Sequence, residues 1–172
     1  MQMEILRFTL SGRQAFFKKP DVNSYCYFTY GHIHRVALLG IFGAIMGYSG
    51  YNQMKKDDVF PEFYEKLKKL KIAIIPNIEK GCFNKKIISF NNSVGYASGE
   101  AGGNWIVREQ WLENPQWDIY VQIESEESKL LSEKMCASKC TYIPYLGKND
   151  HPAEITNVGI IQGLESKTAE RI

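Results

Sequence analysis

Apolar positions recur along this chain with two periods, and each predicts a different element. Leu6, Phe8 and Leu10 alternate with Arg7 and Thr9, so residues 3–10 should form a strand with one buried face. Residues 11–35 keep no period and mix basic, aromatic and polar side chains, the mark of a long functional connection. From Val36 the spacing turns helical. Gly40, Gly43, Ala44 and Gly47 share one face, which would let another backbone come close, while Leu38, Leu39, Ile41, Phe42, Ile45 and Met46 cover the other sides. A second helix should follow Asp57 and Asp58 as candidate caps, with Pro61 near its first turn, a stripe of Phe60, Phe63, Tyr64, Leu67 and Leu70, and Lys66, Lys68, Lys69 and Lys71 on its outer side or end.

Short strands are predicted over 72–75 and 85–90. Next comes a glycine-rich, aperiodic stretch over 93–104, with Trp105, Val107 and Trp111 alternating beyond it, so a long hairpin with its tip at 91–104 is expected. Trp105 and Trp111 should hold its base against the core. Asn114-Pro115 supplies a turn before the clearest half-buried strand, Trp117, Ile119, Val121 and Ile123. Ser125 can cap a third helix through about Ala137 with Leu130, Leu131 and Met135 inward, and a last strand is expected near 158–161. The order of elements fits an α+β, ferredoxin-like (RRM-like) βαββαβ core with an inserted helix and a long hairpin.

Composition narrows the class. With 172 residues, 44% hydrophobic, 23% charged and 6 prolines, the chain can build a core and is not a disordered segment. The longest apolar stretch, 36–48, is short of the roughly 20 residues of a membrane-spanning helix. The start, Met1 to Glu4, lacks secretory features, so a cytoplasmic protein with Cys26, Cys82, Cys136 and Cys140 as reduced thiols is expected. Charge is uneven. Residues 1–86 hold 14 Lys or Arg against 7 Asp or Glu, a net +7, and residues 87–172 hold 7 against 12, a net −5. A basic half suits a polyanionic partner, and an ordinary solvated surface would also carry it.

Within 11–35, Arg13, Lys18, Lys19 and Arg35 interleave with Phe16, Phe17, Tyr25, Tyr27, Phe28 and Tyr30. Cations neutralise phosphates and aromatic faces stack unpaired bases, so the composition fits single-stranded RNA or DNA; core packing of the aromatics is the alternative. Arg35, just ahead of the glycine-striped helix, suits a phosphate at a helix N-terminus. Tyr30, His32 and His34 are close enough in sequence for general acid–base cleavage of RNA, or for contact or packing without chemistry. In the turn-rich stretch 144–152, Lys148, Asn149 and His151 offer donors beside Gly147. Cys136 and Cys140 lack zinc-ligand spacing, and no nucleotide-cofactor or hydrolase motif is present, so neither metal nor cofactor is implied.

Several stretches together resemble the CRISPR-associated RAMP superfamily, specifically Cas family five of type I-B Cascade complexes: Phe8 to Pro20, Thr29-Tyr30, Arg35 to Gly47, Asn92 to Tyr96, Arg108 to Trp111, and Pro144 to Ala153. The resemblance implies one domain over 1–172, with a hairpin thumb at about 85–111, and a C-terminal portion beyond what this chain holds. It implies a non-catalytic subunit of an antiviral ribonucleoprotein that binds the 5′ handle of CRISPR RNA and contacts the complex's backbone and large subunits, with no membrane partner. In that family a basic residue opens the first helix after a Thr-Tyr segment, and Arg35 stands there; Gly31 to His34 replace the prolines of many relatives. With the residue reading, this gives an RNA-binding set of Arg13, Lys18, Lys19, Tyr30, His34, Arg35, Tyr96, Arg108, Lys148, Asn149 and His151. One branch of the family cuts precursor RNA with a Tyr, Lys, His set. The alternative function is accordingly a metal-independent endoribonuclease using Tyr30, His32 or His34 with Lys18 or Lys19.

Overall fold

The computed structural model describes residues 2–21, 25–79, 81–97 and 99–164; parts of the 11–35 connection and of the hairpin tip, and all of 165–172, lie outside them. Along the described residues run β1 (Gln2–Ser11), β2 (Gln14–Ala15), α1 (Arg35–Met46), a 3₁₀ turn at Tyr51–Gln53, α2 (Glu62–Leu67), β3 (Ile72–Pro76), β4 (Lys85–Asn91), β5 (Ile106–Glu113), β6 (Gln116–Gln122), α3 (Glu126–Cys136) and β7 (Glu154–Leu164). One antiparallel sheet has the order β3-β6-β1-β7. If β1, β3, β6 and β7 are the four core strands and α1 and α3 the crossovers, this is the ferredoxin-like arrangement the element order predicts. The β4–β5 hairpin is inserted between the second and third core strands. It belongs to a second antiparallel sheet, β2-β5-β4, that shares no strand with the first.

Period-2 alternation sets the core. Leu6, Phe8 and Leu10 lie opposite Val121, Ile119 and Trp117, and all six are fully buried on one face. Leu38, Leu39, Phe42 and Ile45 of α1 and Leu131 of α3 cover that face, with Phe8 and Phe42 in an edge-to-face contact at 6.1 Å. Each such side chain contributes about 1.5–3 kcal/mol of burial free energy.

Several expectations need correction. Asp57 and Asp58 do not cap α2. Its N-cap is Pro61, Asp58 accepts a hydrogen bond from the Lys55 amide, and the Glu62 carboxylate accepts from the Ser49 amide instead. Helix α2 ends before Leu70, and Phe60 is exposed; Phe63, Leu67 and the post-helical Leu70 are buried, with Tyr64 packed partly buried against the core. The small-residue face of α1 admits neighbours closely at Gly43 and at Gly47, where a Cβ would lie 2.9 Å from Thr141 Oγ1. A Cβ on Gly43 would lie 2.6 Å from Phe63 Cβ, whereas nothing comes within 4 Å of one on Gly40. On α3 the inward stripe is Ser128, Leu131, Ser132 and Met135, one helical face, and Leu130 falls off it into solvent. Trp105 precedes β5 and is 60% exposed, so it does not anchor the hairpin; Trp111 does. The last strand runs longer than its apolar signal because β1 offers it a ladder from Gln2 to Ser11, interrupted by one register shift between Arg7 and Thr9. Among the described residues no helix is long and apolar enough to cross a membrane.

Candidate nucleic-acid interface

The aperiodic segment after β2 is fixed by backbone pairing. The Phe16 amide donates to the Leu146 carbonyl, Lys19 to Phe28 and Tyr30 to Phe17, so residues 16–19 and 28–30 run as a short antiparallel pair. Thr29, fully buried, holds them together: its hydroxyl accepts from the Phe17 amide and donates to the Tyr30 carbonyl, both at 3.0 Å. The Tyr27 amide donates to the Arg108 carbonyl and the Gln110 amide to the Tyr27 carbonyl, each at 2.9 Å, tying this pair to the edge of β5. Phe16 and Phe17 are both buried in the pair and Lys18 is exposed, with its ammonium 3.8 Å from the Tyr27 ring centroid.

Next to it, Lys19 Nζ lies 5.9 Å from the Tyr30 ring, and Tyr30 meets the His34 imidazole edge-on at 5.3 Å. His34 is the N-cap of α1, its Nδ1 accepting from the Ala37 amide at 3.2 Å, so a proton on the neutral ring sits on Nε2. Partial burial pushes its pKa below the ordinary histidine value, and the ring is neutral at pH 7. Arg108 is exposed on β5, flanking the Tyr27 bridge, and Arg13 is exposed ahead of β2. Among the described residues, Arg7, Lys66, Lys68, Lys71, Lys86 and Lys148 all hold carboxylates, but Arg13, Lys18, Lys19 and Arg108 are in no ion pair. Cations left unpaired beside exposed aromatic faces can trade counterions for phosphates and stack bases.

The rest of the predicted set lies elsewhere. Arg35 opens α1, but its Nη2 donates to the carbonyls of Lys68 and Leu70, which stabilise the end of α2. Lys148 Nζ pairs with Glu109 Oε2 at 2.9 Å and lies 4.9 Å from the Phe90 ring and 5.5 Å from the Trp111 ring. His151 is only 3% exposed and packs edge-on against Trp111 at 4.5 Å, so it presents no donor at the surface. Desolvation lowers its pKa first of all; Asp150 and Glu109 oppose that shift and Lys148 adds to it. Asn149 is exposed on the same loop, and Tyr96 is 86% exposed near the hairpin tip. His32 turns inward onto Phe83, with Nδ1 buried and without a partner. Sequence reasoning missed Glu109, a buried acid bonded to Trp111 and Lys148. The signal was there in the alternation of Val107, Glu109 and Trp111, which puts all three on one face of β5.

No family model and no curated protein sequence matches this chain. Solved structures do match it. One described as "CRISPR RNA-guided surveillance complex" superposes with a TM-score of 0.62 at 15% identity, over 87% of this chain and 60% of its own. Another, "Crystal structure of Cas protein", gives 0.52 at 14% identity, over 84% of this chain and 57% of its own. The chain thus spans under two thirds of the length of either. At these identities what is shared is the backbone architecture, and on that ground the chain has the fold of CRISPR-associated proteins of known structure.

Proposed function

We propose that this chain is a non-catalytic RNA-binding subunit of a CRISPR surveillance complex of the type I-B kind, holding the 5′ handle of the guide RNA and contacting the backbone and large subunits. The observation that carries the reading is two cation–aromatic pairs in no ion pair among the described residues, Lys18 with Tyr27 and Lys19 with Tyr30, and the exposed Arg108 beside the Tyr27 bridge. The fold shared with a protein described as a CRISPR RNA-guided surveillance complex supports it. Single-stranded repeat RNA titrated across salt concentrations tests it. The expected slope of log K against log salt drops by about 0.7 for each of Lys18→Ala and Arg108→Ala, one phosphate contact each. Absence of salt-dependent binding by the unaltered protein would overturn the reading.

A second reading has one specific observation behind it. Lys19, Tyr30 and neutral His34 converge, a set able to move protons at a phosphodiester without metal. The leading reading expects no cleavage of precursor RNA in EDTA, and specific cleavage lost in His34→Ala would favour the endoribonuclease.

A further inference from the structure

The hairpin carries Arg108, whereas Lys18 and Tyr30 sit on the 16–19 and 28–30 pair, itself bonded to the 144–153 loop from the Phe16 amide to the Leu146 carbonyl, and His34 is fixed on α1. No ladder joins the hairpin's sheet to the four-stranded sheet. Its direct backbone ties to the rest are the two-residue pairing of β2 with β5, the Tyr27 bridge and the short β5–β6 turn. On one side Leu112 of β5 is buried in the core, and on the other, where Glu109 and Trp111 lie, the hairpin meets the 144–153 loop, which is held by its own bonds. Leu146 is fully buried, the Leu146 amide donates to the His151 carbonyl at 2.8 Å, and the Ala153 amide donates to the Pro144 carbonyl at 3.0 Å. From this loop Lys148 reaches Glu109, whose same oxygen accepts from Trp111 Nε1 at 2.8 Å, and His151 packs on Trp111. The pair is largely shielded, with Glu109's side chain 10% exposed and Lys148's 25% exposed. Breaking a pair shielded to this degree leaves an uncompensated charge.

Resting on the RNA-binding reading above, we propose that Lys148 and Glu109 are positioning residues that lock the hairpin onto the 144–153 loop and so align Arg108 with Lys18, Tyr30 and His34 for RNA. Neither residue touches the RNA in this arrangement. Glu109 makes the sign of the test decisive. Removing an acid one residue from a phosphate-binding Arg108 strengthens binding if only local charge matters, and weakens it if the acid holds the hairpin in place.

The experiment measures repeat-RNA affinity across salt, together with amide hydrogen exchange, for unaltered protein, Glu109→Gln, Lys148→Met, the double variant and Lys148→Arg. Both single variants keep the side-chain volume, and thermal unfolding confirms that each folds. Expected are a roughly fivefold loss of affinity in each single variant, from a reduced population of the docked hairpin, with no change in salt slope. The double variant should be no worse than either single one, and Lys148→Arg should restore binding, since arginine also pairs and stacks. Exchange at β5 amides should rise in the single variants. A slope lowered by about 0.7 in Lys148→Met would make Lys148 a phosphate ligand and overturn the lock. Tighter binding by Glu109→Gln would also overturn it. If the unaltered protein binds no RNA, the RNA reading fails separately, and exchange still decides the lock: unchanged protection of β5 in both single variants refutes it.

Discussion

Replacing Arg35 with alanine removes a guanidinium that donates to the Lys68 and Leu70 carbonyls just past the end of α2. That helix has six residues, fewer than two turns, so its own hydrogen bonds cannot sustain it. It stays in place through Phe63 against Gly43, the buried Leu67 and Leu70, and Arg35 holding its last carbonyls. A hydrogen bond from a charged donor contributes about 1.5–3 kcal/mol. One of the two is solvent-exposed and counts at the low end or below, so the expected loss is about 2 kcal/mol. For a chain of this length that lowers the thermal midpoint by about 4–8 °C. Calorimetry on Arg35→Ala measures it, with Arg35→Lys as a partial rescue, because one ammonium cannot span both carbonyls as the guanidinium fork does. RNA titration on the same samples should keep the salt slope of the unaltered protein. An unchanged midpoint with a slope reduced by about 0.7 would refute this reasoning and make Arg35 a phosphate ligand at the helix N-terminus.

Gly147 has φ of +88°, and a Cβ there would lie 1.9 Å from the Phe16 carbonyl oxygen, so Gly147→Ala should cost about 1–3 kcal/mol and increase hydrogen exchange across 144–153. Deleting 94–103 removes mostly exposed residues and leaves the flanking Asn91 and Asn104 in place; the thermal midpoint should move by no more than about 2 °C while assembly with partner subunits fails, as native gel analysis would show. Burial lowers the pKa of both His34 and His151, so the folded state binds fewer protons than the unfolded one; their contribution to stability is complete above pH 6.5 and falls as pH drops below it, which denaturant unfolding against pH would record. Glu62, also lowered, chiefly by its bond from the Ser49 amide, adds a separate loss below pH 4.5, and Glu62→Gln should remove that lower phase alone.

Local periodicity determined which elements exist. Strand β1, helix α1, the half-buried β6 and the capped α3 follow from spacing and from one cap each, because a strand's two faces and a helix's stripe repeat over a few residues. The interleaving of Lys18 and Lys19 with Tyr27 and Tyr30 was equally legible. What spacing cannot carry is which charge meets which. Arg35 finds carbonyls 33 and 35 residues away, and Lys148 finds Glu109 39 residues away. Those meetings depend on how sheets and loops stack. The same limit explains Trp105, aromatic and strand-like in sequence but beyond the end of β5. It explains His151 as well, polar in sequence but covered by Trp111. Sequence thus set the fold and marked a basic, aromatic face, while tertiary packing decided which of its cations are left unpaired to meet a polyanion, because pairing is a matter of distance in space and the chain encodes that only through the finished fold.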